Sequence, residues 1–126
     1  MKSFIIAMII FVLIIAGSGY YTYALSKSID NIEAKLSDVE NNISEEKWEE
    51  CKAKTEALMQ DWEETQKWLK AIVNHKEIDL IIQTLYEMKG YIQAENKEEA
   101  LVKAGVLKMF FRHIPENESL SLINIL

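Results

Sequence analysis

Helix breakers are scarce in this sequence. One proline and four glycines in 126 residues leave few places where a helix must stop, so long helices are expected. A single cysteine, Cys51, excludes an intramolecular disulfide and any zinc site built on cysteines. Basic residues are nearly missing from the first 26 positions, where Lys2 stands alone, and acidic ones are missing altogether. All 20 acidic residues therefore fall in the remainder, which is more acidic than the formal charge of −6 for the whole chain. Such a surface repels phosphate backbones, and nucleic acid is not an expected partner. The chain also lacks a glycine-rich phosphate loop and a serine or cysteine nucleophile beside a base, so neither catalysis nor a cofactor is expected.

What the chain has in abundance is an apolar start. Phe4 to Ala16 is an unbroken apolar run, followed by Gly17-Ser18-Gly19 and then by Tyr20, Tyr21 and Tyr23 before Lys27. As a helix, positions 4–25 extend about 33 Å, enough for a hydrocarbon core of about 30 Å. The tyrosines at the far end suit a membrane interface. The expectation is a retained signal-anchor, with residues 1–25 in the cell membrane and positions 4–25 in contact with lipid. A single pass would put the carboxyl-terminal domain outside the cytoplasm. The competing reading is a secreted helical protein, released when a signal peptide is cut at Ala16-Gly17-Ser18.

Beyond the span, Ile29, Ile32, Leu36, Val39 and Ile43 recur in steps of three and four and share one helix face. Residues 26–43 thus read as a helical stalk continuing from the membrane. Its seam is suited either to a weak homo-oligomer or to the chain's own third helix. Asn41, Asn42 and Ser44 supply turn chemistry, and a second helix begins near there.

Its stripe is Trp48, Cys51, Thr55, Leu58, Trp62, Thr65, Leu69 and Ile72, which puts Trp48, Leu58 and Trp62 in the core and Trp68 out of phase. Cys51 on that stripe reads as an inert packing residue. After Asn74-His75-Lys76, a third helix buries Ile78, Ile81, Ile82, Leu85, Met88 and Ile92. A fourth, opened by Asn96, runs from Lys97 to His113 and buries Leu101, Ala104, Leu107, Phe110, Phe111 and Ile114. Pro115 is expected to end it, and the uncharged tail from Leu120 to Leu126 to dock on the bundle.

A shift of 49 positions aligns Ile29 with Ile78, Leu36 with Leu85, Ile43 with Ile92, Glu46 with Glu95, Leu58 with Leu107 and Trp62 with Phe111. Two helix hairpins in tandem would produce this match. Cys51 aligns with Ala100, as a packing position does and a catalytic thiol does not.

His75 and Asp79 are spaced i, i+4 and, with His113, form the one candidate metal constellation. It supports a metal-dependent enzyme or metal-binding protein as the alternative function. Their plainer roles are structural. His75 is placed to cap a helix end, with about 1 kcal/mol lost in His75→Ala. His75, Asp79, His113 and Asn124 are then expected to meet at one end of the bundle as a junction cluster that includes the tail.

The apolar span, Lys47-Trp48, Trp62, Asn74-His75-Lys76-Glu77-Ile78-Asp79, His113-Ile114-Pro115-Glu116 and Leu122-Ile123-Asn124-Ile125-Leu126 together give the chain its likeness to a family. It resembles small single-pass proteins of clostridia and related spore-forming bacteria, grouped as a domain of unknown function. The resemblance implies a membrane-anchored helical domain and supplies no activity. It directs attention to the two histidine-containing junctions and the Asn124 tail. The expected protein is all-α: a transmembrane helix, then a small antiparallel bundle of two helix-hairpin units over 44–126. Its expected role is non-catalytic, an interaction or scaffold module for an unknown protein partner.

Overall fold

The computed structural model describes the backbone of residues 1–70 and 74–125 and the side chains of residues 1–70 and 74–114. Four helices run α1 (Lys2–Ser44), α2 (Trp48–Leu69), α3 (His75–Gln93) and α4 (Lys97–Ile125), and no strand occurs among the described residues. α1 continues without interruption through 43 residues, a rod of about 64 Å. Its first half stands clear of the rest of the chain, with every large apolar side chain from Phe4 to Ile15 exposed. Its second half enters the bundle.

That second half is more than a stalk. Leu25, Ile29, Ile32, Leu36, Val39 and Ile43 are buried in the same core as Leu58, Trp62, Leu85 and Phe111. α1 packs mainly on α2 and α4, and α3 packs on α4 and α2, so α3 lies diagonally opposite α1. The third helix is therefore not the stalk's main partner. Residues 26–43 supply one of four bundle helices, and a boundary at 43/44 cuts through the core. The apolar seam considered for a homo-oligomer is covered by the chain's own helices.

The 49-residue repeat is present in the backbone. At the end of α1, the Glu46 N–H donates to Ile43 O and the Lys47 N–H to Asn42 O. At the end of α3, Glu95 donates to Ile92 O and Asn96 to Tyr91 O. Both patterns are Schellman caps. Both also put a glutamate in the left-handed region, Glu46 at φ 57 and Glu95 at φ 55, where glycine is the unstrained choice. Buried positions obey the same shift, from Ile29 and Ile78 through Cys51 and Ala100 to Trp62 and Phe111. The last pair meets on the bundle axis, ring centroids 5.5 Å apart and tilted by 46°. A first prediction follows from the turns. Glu95→Gly is expected to raise stability by about 0.5–1 kcal/mol, because relief of left-handed strain outweighs the extra freedom of glycine in the unfolded chain. A higher denaturant midpoint with an unchanged slope would verify it.

Each side of the bundle carries one interhelical ion pair. Lys35 meets Asp61 between α1 and α2, and Lys89 lies 2.5 Å from Glu56 between α3 and α2. Lys103 lies 2.6 Å from Glu87 between α4 and α3, and Lys108 lies 3.1 Å from Glu40 between α4 and α1. The equivalent positions 40 and 89 carry opposite charges, and each finds its partner on a neighbouring helix. These surface pairs select neighbours and register more than they add stability.

Two further expectations are corrected. Trp48 is only half-buried, packed on the edge of the core, because it opens α2 where the helix has just left the turn. α4 does not end at Pro115 but runs on to Ile125. Proline forfeits one hydrogen bond at its own nitrogen, yet its fixed φ is close to the helical value, so the helix can continue past it. The segment expected as a separate tail is the final part of α4, and its docking lies outside the described side chains.

Candidate membrane-proximal site

The end of the bundle nearest the exposed half of α1 gathers most of its aromatic hydroxyls and its one strongly exposed tryptophan. Trp68 lies off the α2 stripe of Leu58, Trp62, Thr65 and Leu69 and is 68% exposed. Its backbone carbonyl accepts a 2.8 Å hydrogen bond from the Tyr21 hydroxyl, which ties the end of α2 to α1 one turn before Leu25. Tyr20, which lines the same groove as Trp68, is exposed, and so is Tyr23 on the same stretch of α1. Between the two helices is a groove of about 380 Å³ lined by Gly17, Tyr20, Tyr21, Ala24, Leu25, Ser28, Thr65 and Trp68. Gly17 has open space where a side chain would begin. This volume lies within the ordinary range for small-molecule and lipid-chain clefts.

The histidine junctions are arranged differently from the expectation. His75 is the first residue of α3 and exposed, Asp79 is exposed one turn on, and His113 is exposed in the middle of α4. Asn124 lies outside the described side chains. Among the described residues, no group of three His, Cys, Asp or Glu side chains is placed to hold a metal ion. The cap at this junction is Asn74, whose Oδ1 accepts from the Lys76 N–H at 3.1 Å. Asn96 plays the same part for α4, accepting from the Glu99 N–H at 3.3 Å. Asn74→Ala is therefore expected to cost about 1 kcal/mol, and His75→Ala less than about 0.5 kcal/mol. Paired thermal melts would check the order, and a larger loss in His75→Ala would reverse the assignment.

The family profile described as a domain of unknown function, DUF4363, matches residues 20–125. The chain belongs to this family. The DUF4363 match begins at Tyr20, beside Tyr21 and its bond to Trp68. It takes in residues 26–43 with the rest of the bundle, as the shared core requires, and leaves the apolar run from Phe4 to Ala16 outside. Nothing among curated proteins or solved structures matches the chain.

Elsewhere in the DUF4363 domain, the shifted titrations belong to surface ion pairs and to one packed thiol, Lys47 being raised by Glu45 in the α1–α2 turn. The Lys103 ammonium, and after it the Gln83 amide, keeps the Glu87 carboxyl below the usual carboxylate range, and Glu87 raises Lys103 in return. Glu56 raises Lys89 in the same way. Burial pushes the Cys51 thiol up, against a smaller opposing effect of Thr55. Its Sγ lies 3.8 Å from the Val39 carbonyl, so the thiol is held in the α1–α2 contact and stays protonated and unreactive. A second cavity, about 60 Å³ between α2 and α3, is lined by Met59, Trp62, Gln66 and Ile82 among others. Trp62 Nε1 and Gln66 Oε1 are buried there without partners, but the space is far below that of an organic ligand site. The Tyr21–Trp68 bond was not legible from the sequence, although the phase of Trp68 on α2 marked the residue as unusual.

Proposed function

We propose that this chain is a single-pass membrane protein whose DUF4363 bundle stands directly on the outer face of the cell membrane and serves as a non-catalytic interaction module. The observation that carries the reading is α1 itself. A helix apolar all round and exposed all round in its first half has no protein core to occupy, and it passes without a break into a buried bundle helix. The non-catalytic part is supported by the distribution of shifted groups, which belong to ion pairs or to a packed thiol.

One observation favours the secreted alternative. The family match starts at Tyr20, just beyond Gly17-Ser18-Gly19, so cleavage there would leave the whole family domain intact. Fractionation of carboxyl-terminally tagged full-length protein distinguishes the two. The expected result is a full-length product in the membrane pellet that resists alkaline extraction and is degraded by protease added outside the cell. A soluble product with a new amino terminus near Gly19 would replace the anchor reading with the secreted one.

A further inference from the structure

The collar of the bundle has features that an anchor alone does not require. Trp68 belongs to α2, which does not enter the apolar span, yet its carbonyl is bonded to Tyr21 and its ring is exposed at the level of Tyr20 and Tyr23. We propose that this collar is a phospholipid-binding surface: Trp68, Tyr20 and Tyr23 sit among the headgroups and glycerol esters of the bilayer that α1 enters, and the groove beside them receives the upper part of one lipid chain. The inference rests on the membrane reading above and adds a second helix, α2, to the lipid contact.

Depth decides the occupant. Tyr20 and Tyr23 fall in the last five positions before Leu25, within about 8 Å of the end of the 4–25 span, and each interfacial layer of a bilayer is about 5–8 Å deep. A residue hydrogen-bonded to Tyr21 is thus held in the layer where tryptophan and tyrosine are enriched, apolar ring inward and polar edge toward water. The groove is continuous with the lipid-facing side of α1 through Gly17 and Ala24, so a chain enters it from the bilayer without crossing water. Exposed Lys67, next to Trp68 in the last turn of α2, and exposed Lys70, the residue that caps its end, are in position to reach lipid phosphates, while the strongly acidic turns at Glu45-Glu46 and Glu98-Glu99 are at the other end of the bundle.

The test uses full-length protein in phosphatidylcholine vesicles whose acyl chains carry bromine just below the glycerol, a short-range quencher of tryptophan. The expected result is a clear loss of emission in the parent protein relative to unbrominated vesicles, and no loss in Trp68→Phe. The reason is that Trp48 is at the opposite end of α2, about 30 Å away, and Trp62 is enclosed in the core. Equal quenching of parent and variant, or none in either while both float with the vesicles, would overturn the inference. Trp68 covered by a second copy of the chain would give that unquenched result. Failure to float with vesicles would instead remove the membrane reading on which the inference rests. A melt of Trp68→Phe matching the parent shows that the comparison is between folded proteins.

Discussion

Trp62→Ala is expected to cost about 3–5 kcal/mol, about a fifth or more of the stability of a domain this size. The ring is 2% exposed and stacks at a tilt against Phe111, its counterpart in the second hairpin, so its removal opens a cavity where both hairpins meet. Phe111→Ala should cost a similar amount, and the double variant less than the two losses together, because each single change already destroys the shared ring contact. Trp48→Ala should cost distinctly less, since that ring is only half-buried. Denaturant titration of the four variants would measure the order, and a Trp62→Ala midpoint near that of the parent would show that the hairpins do not depend on this contact.

The second large effect concerns where the domain begins. A chain started at Ser44 is expected to lose cooperative folding entirely, whereas one started at Tyr20 should keep it. The shorter chain lacks α1, and with it the apolar covering supplied by Leu25, Ile29, Ile32, Leu36, Val39 and Ile43 to α2 and α4. A buried aliphatic side chain of this kind contributes about 1.5–3 kcal/mol, so the loss of six is as large as the whole net stability of an ordinary domain, about 5–15 kcal/mol. Circular dichroism through a thermal ramp decides it. A sigmoidal melt for 44–126 would mean that three helices suffice.

Much of this architecture was legible in the sequence because helix faces were written in steps of three and four. The stripes of α2, α3 and α4 mark most of the buried residues, although Ile82, Leu101 and Phe110 are only half-buried and Ile72 lies outside the described residues, and the alignment of Ile43 with Ile92 and Glu46 with Glu95 carried the repeat down to the hydrogen bonds of its turns. What a stripe does not encode is the surface that covers it. The seam from Ile29 to Ile43 has the same spacing whether it meets a second chain, α3, or the α2 and α4 that it does meet. Nor does spacing rank residues at the end of a stripe, which is why Trp48 and Trp62 looked alike. Composition misled at Pro115, whose breaker character is an average over sites and not a property of every helix. At the third helix start, two polar neighbours competed for one cap. The shorter Asn74 side chain won because it reaches the free N–H of Lys76 within its own turn.

On the proposed membrane reading, the unbroken passage of α1 from its exposed half into the bundle makes the two parts a single lever. From Leu25 to Ser44 the helix extends about 29 Å, so a tilt of about 20° in the span, ordinary for a membrane helix, carries the far turns sideways by about 10 Å. Rotation of the span about its own axis would likewise turn the whole acidic end through the same angle, with no flexible joint to absorb it. A change in bilayer thickness that alters the tilt is thereby converted into a displacement of the Glu45-Glu46 and Glu98-Glu99 turns.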